Sequence, residues 1–155
     1  MFELAEDSSE QLDSYIDSGR VLVAVAANEP IGHIQLVDTG RRGEVEVKNL
    51  AVAETRQGRG IGRMLMAAAI DEVAAASGSR LLVATAAAGT GNLRFYQRLG
   101  FRLPSIERDA FTTATGYPAG IRWDGIELRD RVWLDLTLEP PSPAPSRVGA
   151  GRAVP

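Results

Sequence analysis

The 155-residue chain contains no cysteine. That absence excludes disulfides, thiolate metal sites and a cysteine nucleophile. Long apolar runs are also missing: Met64 to Ile70, which no run exceeds, is stopped by Asp71 and Glu72, far short of the roughly 20 residues a membrane-spanning helix needs. There is no basic block. The formal net charge is -3 with acids and bases interspersed, so the clustered footprint of a nucleic-acid binder is lacking. The start, Met1-Phe2-Glu3-Leu4-Ala5-Glu6-Asp7, carries acids where a secretory signal peptide carries bases. A cytoplasmic protein of one domain is the expectation, and at this length about 70% of the unfolded surface can be buried without staples.

What is present is a series of alternating elements. Ser8-Ser9-Glu10-Gln11 has capping-box spacing, with Leu12 and Ile16 following at i, i+4. This predicts a short amphipathic helix from about Ser9 to Asp17, ended by Ser18-Gly19. Val21 to Ala26 and Ile31 to Val37 flank the turn Ala27-Asn28-Glu29-Pro30 and read as a hairpin. Glu44 to Lys48 alternates polar and apolar residues, but Asn49-Leu50-Ala51-Val52 breaks the pattern; a bulge near Asn49 or Leu50 accounts for the slip. The helix after Gln57 to Gly62, running to about Ser77, is apolar nearly all round, which predicts burial on most sides and a C-cap at Gly78.

Leu81 to Ala86 reads as an interior strand, Asn92 to Leu99 as a short helix closed by Gly100, and Phe101-Arg102-Leu103 as the start of a strand. Ile126, Leu128, Val132, Leu134, Leu136 and Leu138 share one parity. That predicts one long last strand, with Asp130 marking a bulge or a buried polar contact. From Glu139 the Pro-rich run cannot pack, so a domain over 1–138 is expected to precede a disordered tail over 139–155. The element order is that of an α/β sandwich with a mixed sheet.

The chemistry concentrates at Gln57-Gly58-Arg59-Gly60-Ile61-Gly62, where a strand passes through a glycine-rich turn into a long helix. Amides at a helix start are unpaired and point outward, and glycines let a phosphate approach them without a Cβ in the way. Arg59 adds a charge. A P-loop would need Lys and then Ser or Thr after its last glycine, and Arg63-Met64 stands there. A dinucleotide fingerprint would need Gly-x-Gly-x-x-Gly, and no acid ends the next strand near Ala86.

The turn has the form Gln/Arg-x-x-Gly-x-Gly and, with Asn49-Leu50-Ala51-Val52 before it, resembles motif A of the GNAT superfamily of acetyl-CoA-dependent N-acetyltransferases. Asn92-Leu93-Arg94-Phe95-Tyr96-Gln97-Arg98-Leu99-Gly100-Phe101 resembles the family's motif B. The resemblance covers roughly Val21 to Leu138, and the region before Val21 is shorter than the family's usual first strand and paired helices. It implies a mixed, mostly antiparallel central sheet flanked by helices. It also implies acetyl-CoA as acetyl donor, no metal, and an amine acceptor that is either a small molecule or a protein amine. The main chain of Leu50, Ala51 and Val52 is then expected beside the pantetheine arm like an added strand. The amides of Gln57, Gly58, Arg59, Gly60, Ile61 and Gly62 are expected on the pyrophosphate, Asn92 on the pantetheine, and Tyr96, one turn on along the same helix face, at the sulfur.

Amine chemistry explains the remaining choices. An amine of pKa ~10.4 is neutral about once in 10³ at pH 7, so a base is expected. Glu46 is the first candidate, directly or through a water, with Glu44 in reserve. Tyr96, with a reference pKa of ~10, is protonated at neutral pH and can pass its proton to the departing thiolate. Each residue also has a plainer reading: a solvated strand face for Glu44 and Glu46, a half-buried aromatic for Tyr96, and a helix N-cap for Asn92. Arg94 and Arg98 read as surface residues and His33 as structural. Asp109, Phe111 and Tyr117 lie in a long segment expected to cover the acceptor pocket. A coenzyme-binding sensor without turnover is the alternative to an enzyme, and the long last strand could pair across a homodimer.

Overall fold

The structure, a computed structural model, describes residues 2–4 and 8–138. The tail read at 139–155 lies outside the described residues. Strands β1 (Arg20–Ala26), β2 (Glu29–Asp38), β3 (Glu44–Val52), β4 (Arg80–Ala86), β5 (Arg102–Glu107) and β8 (Arg131–Thr137) form one sheet in the order β1-β2-β3-β4-β8-β5. β3 and β4 run parallel and the other neighbours antiparallel. Helices α2 (Ile61–Ala75) and α3 (Thr90–Arg98) share the core on one face, which centres on Ile34, Leu36, Met66, Leu81 and Leu134. Helix α1 (Ser9–Tyr15) lies on the other face, where Gln35 donates from Nε2 to the carbonyls of Tyr15, Ile16 and Ser18.

The hairpin forms where the sequence puts it. Ala27 and Asn28 both take positive φ, 51° and 64°, the backbone twist that a two-residue connection between right-twisted strands favours. The Ser8 hydroxyl caps α1 by accepting from the Gln11 amide at 3.3 Å. The helix buries Leu12 and Tyr15, whereas Ile16 is exposed, because the chain leaves the helix at Tyr15 and the i, i+3 pair faces the sheet.

Three expectations are corrected. α2 is not buried on most sides: Leu65, Met66, Ala69 and Val73 face the core, while Met64 is 56% exposed and Ala67, Ala68 and Ala75 face solvent. Its outer face is small rather than polar, which sequence alone reads as burial. The end of α2 is a Schellman arrangement in which Ser77, not Gly78, is left-handed at φ 62°. The Gly78 amide donates to the Val73 carbonyl at 2.8 Å, and a Cβ on Gly78 would meet Val73 Cγ1 at 2.3 Å. Glycine is needed there for close approach, not for handedness.

The last strand is also not continuous. β7 (Ile126–Glu127) pairs with β6 (Arg122–Trp123) as a separate hairpin, and only Arg131–Thr137 enters the main sheet. The break falls at Asp130, whose carboxylate accepts from the Asp109 amide at 2.9 Å and whose carbonyl accepts from Ala87. The shared parity of Ile126, Leu128 and Val132 arises because Leu128 fills a second small core with Ala86 and Tyr117. β8 sits between β4 and β5, so both its edges are taken and it cannot pair across a dimer; the open edges are β1 and β5.

Candidate active site

The sheet opens at its centre. β3 and β4 pair from Glu44↔Arg80 to Val47↔Val83 and then separate. Beyond that point β3 stays paired to β2 as far as Val52, and β4 to β8 as far as Ala86. The main chain over Leu50, Ala51 and Val52 therefore presents an edge that no strand of the described residues covers, a template for an extended ligand. The cause is a bulge: Gln35 pairs with Asn49 and Leu36 with Val47, leaving Lys48 as the extra residue, one position before the expected site. A bulge increases local twist and turns the strand away from its neighbour.

A cleft of about 740 Å³ fills this opening. At one end lies the glycine turn. Gly58 and Gly60 take φ of +72° and +81°, and a Cβ on either would meet nothing within 4 Å, so both are glycine for conformation and both face open space. Gly60 is the N-cap of α2, which has no side-chain cap and no acid in its first turn. The positive end of a 15-residue helix is thus left for an anion. Gly62, inside the helix, faces the Phe95 ring, which a Cβ added there would meet at 3.5 Å. The Gln57 side chain donates from Nε2 to the Val52 carbonyl at 3.1 Å, tying the turn to β3. Gln57, Gly58, Gly60, Ile61 and Gly62 line the cleft, and Arg59 is exposed and does not line it. The arginines that do line this end are Arg56 and Arg63, which the sequence reading missed although they flank the turn by one residue on each side.

Asn92 and Tyr96 line the cleft from α3. The helix begins at Thr90 with Gly89 as N-cap, so Asn92 is in the first turn rather than capping it, and its Nδ2 lies 3.3 Å from Thr85 Oγ1. Tyr96 packs edge-on against Phe95 and Phe101. Only 7% of it is exposed, and burial pushes its pKa above the ordinary phenol value.

On the opposite face of the sheet the two glutamates diverge. Glu46 lines the cleft and is ion-paired to Lys48 at 3.2 Å. Glu44 sits at the closed end, buried between Arg80 at 2.8 Å and the Thr39 hydroxyl at 3.0 Å. Arg80 also binds Asp135 at 2.7 Å, so the triad clamps β3, β4 and β8 where the sheet is still closed. Phe111 and Tyr117 line the cleft as expected of the covering segment, joined by Trp123 and Leu128. Asp109 does not; it pairs with Arg129 at 2.7 Å on the surface. Arg131 and Trp133, also lining, escaped the sequence reading. They are the residues of β8 with parity opposite to its apolar row, and that parity was their available signal.

Arg94 and Arg98 are exposed and lie outside the cleft. His33 is buried, with Nε2 bonded to Asn49 Oδ1 at 2.9 Å, and does not line it either. Among the described residues no cluster of three or more His, Asp or Glu could hold a metal ion.

Comparison with known proteins agrees with this geometry. Residues 17–103 match the family model of the acetyltransferase (GNAT) domain. The uncharacterized N-acetyltransferase YvbK of Bacillus subtilis (strain 168) is 33% identical over 135 residues, covering 87% of this chain and 85% of its own. A GNAT family acetyltransferase from Elizabethkingia anophelis, solved with acetyl-CoA bound, superposes with a TM-score of 0.81 at 34% identity, covering 89% and 88% of the two chains. A Bacillus subtilis acetyltransferase in complex with CoA gives 0.82 at 32% identity, covering 90% of each. An opened parallel strand pair, an uncapped glycine turn at a helix start and these relatives together place the chain in the GNAT family, as an acetyl-CoA-dependent N-acetyltransferase.

Proposed function

We propose that the protein moves an acetyl group from acetyl-CoA to a primary amine by direct attack, with donor and acceptor bound together. The separation of β3 from β4 carries this reading. It joins the face holding the glycine turn and Tyr96 to the face holding Glu46, so a thioester and an amine can meet through the gap. The turn Gln57 to Gly62 holds the pyrophosphate on its amides, with Arg56 and Arg63 beside it. Leu50, Ala51 and Val52 pair with the pantetheine as a strand would, and Asn92 bonds it from α3.

Glu46 takes a proton from the amine. The nitrogen attacks the thioester carbon, the C–N bond forms, the C–S bond breaks, and the second proton on the nitrogen leaves to solvent. Tyr96 gives its proton to the leaving sulfur and regains one from solvent. A phenol held above its ordinary pKa stays protonated through the neutral range, so the O–H is present when sulfur becomes negative. No residue is acylated.

No helix of the described residues is long and apolar enough to cross a membrane, and a cytoplasmic setting fits the acetyl-CoA supply. One similar protein is named as acting on the alanine of ribosomal protein bS18, so protein amines are within the family's reach as well as small ones. The test is calorimetric titration with acetyl-CoA and with CoA, followed by thiol release across an amine panel. Micromolar binding with turnover is expected. Binding without turnover on any amine would leave a sensor, and no binding by folded protein would remove both readings.

A further inference from the structure

Charge in the cleft is lopsided. Glu46 is the only acid lining it among the described residues, against Lys48, Arg56, Arg63 and Arg131. Arg56 and Arg63 stand at the glycine turn, and Lys48 is neutralised by Glu46. Arg131 lines the cleft from β8 and is itself ion-paired, to Glu107 at 3.2 Å, with Glu107 outside the lining. Paired strand residues point to the same face, and Arg131 pairs with Ala86 and Glu107 while Trp133 pairs with Ala84. Both therefore stand on the face that carries Glu46, Trp133 beside the small, half-buried Ala84 and Arg131 beside Ala86, which Tyr117 and Leu128 cover.

Arg131 is held but not used up. One N–H reaches Glu107 Oε2 at 3.2 Å, a carboxylate that also accepts from Trp133 Nε1 at 3.1 Å. The guanidinium lies over the Phe111 ring at 5.1 Å. Of the five N–H donors an arginine carries, the rest have no protein acceptor among the described residues. A fixed guanidinium with open donors is a carboxylate site. Beside it Phe111, Tyr117 and Trp123 pack with Leu128 as an apolar wall. A polyamine or aminoglycoside, carrying several positive charges, would find one acid here and meet Arg131.

We propose that the acetyl acceptor is a free amino acid with a bulky apolar or aromatic side chain: Arg131 holds its carboxylate, the Phe111–Tyr117–Trp123 wall its side chain, and Glu46 faces its amine. The inference rests on the acetyl-transfer reading for the fate of the amine, and on the cleft alone for the shape of the ligand.

The chain's two tryptophans, Trp123 and Trp133, both line the cleft, so tryptophan emission reports on this end without coenzyme or turnover. Titration with N-acetyl-L-phenylalanine and with its uncharged amide, N-acetyl-L-phenylalaninamide, isolates the carboxylate. The acid is expected to bind about ten- to a hundredfold more tightly, the range of a hydrogen bond to a charged group. Arg131→Gln should remove that difference and Arg131→Lys should keep part of it. Equal affinities in the wild-type protein, or no saturable change with either ligand, would overturn the proposal whatever the variants do.

Turnover is then compared for phenylalanine, phenylalaninamide and spermidine with acetyl-CoA. Phenylalanine should lead, and Arg131→Gln should raise its KM by the same about ten- to a hundredfold while leaving that of the amide unchanged. Protein that binds acetyl-CoA but treats acid and amide alike overturns the acceptor site and leaves acetyl transfer standing. Protein that selects the acid but does not bind acetyl-CoA overturns acetyl transfer and leaves the site.

Discussion

The two ends of the cleft are made of different material. At the coenzyme end the working groups are main chain, supplied by the last residues of β3 and by the turn into α2, close together in sequence. Side-chain identity matters there chiefly where the backbone demands it, at Gly58 and Gly60 with their positive φ. At the acceptor end the groups are side chains drawn from β3, β4, β8 and the excursion between β5 and β8. A backbone site is insensitive to most substitutions, whereas a side-chain site changes with each one. One end can therefore keep a constant donor while the other is free to change its acceptor.

Substitutions that act on one end alone sharpen this contrast. Glu46→Gln is expected to have the largest effect: turnover lower by about 10² to 10⁴, the usual worth of a general base, with acetyl-CoA affinity unchanged in calorimetry. A turnover loss under threefold would return Glu46 to the solvated strand face. Gly60→Trp is the converse. Its indole would occupy the space in front of the α2 amides, and losing two charge-assisted hydrogen bonds of ~2 kcal/mol each lowers acetyl-CoA affinity by about 10³. The added Cβ meets no atom within 4 Å, but the φ of +81° strains any side chain there by about 1–2 kcal/mol, so the affinity is read only on variant protein whose circular dichroism matches the wild type. Retained affinity would break the assignment of this end.

Tyr96→Phe tests the boundary between the two ends. Removing one hydrogen bond to a developing negative charge should slow turnover about ten- to a hundredfold and leave coenzyme affinity within about twofold. An affinity loss matching the rate loss would make Tyr96 part of the coenzyme end instead.

The same contrast decides what the sequence disclosed. The coenzyme end was legible because its signals are local: glycines before a helix, a broken alternation before them, and Asn92 and Tyr96 four apart on α3. The acceptor end was not, because Arg131 and Trp133 acquire meaning only when β8 is placed between β4 and β5. Glu44 and Glu46 share a face and a sequence environment. Only the register against β4 reveals that one is buried under Arg80 while the other reaches the gap. The misread elements, α2 and the last strand, failed for a related reason. Alanine on a solvent face looks apolar in sequence, and parity runs unbroken through Asp130 although the hydrogen-bond ladder does not.

The smallest expected effect lies behind the acceptor end, where His33 ties β2 to the β3 bulge. Asn49 donates from Nδ2 to the Phe2 carbonyl at 3.2 Å and to the Tyr15 hydroxyl at 3.0 Å. Its Oδ1 is then the acceptor for His33, which fixes the imidazole proton on Nε2. Nδ1 is buried with no partner. Burial lowers the pKa of His33 below 6.5, opposed in part by the Asn49 bond. The folded state thus resists a proton that the unfolded chain accepts near pH 6.5. In that window the unfolded state binds more protons, so stability must rise with pH, by up to ~1.4 kcal/mol per pH unit, and fall as the solution is acidified below 6.5. His33 is the sole histidine, and ordinary carboxylates titrate near pH 4, so the interval from about pH 5 to 6.5 isolates it. Urea unfolding across that interval should show the slope in the wild-type protein and a flat line in His33→Gln, whose amide can still donate to Asn49 but cannot titrate. A wild-type stability that is level from pH 5 to 6.5 would mean that Nδ1 finds a partner when protonated, and that the support of the acceptor end is as indifferent to acid as the glycine turn.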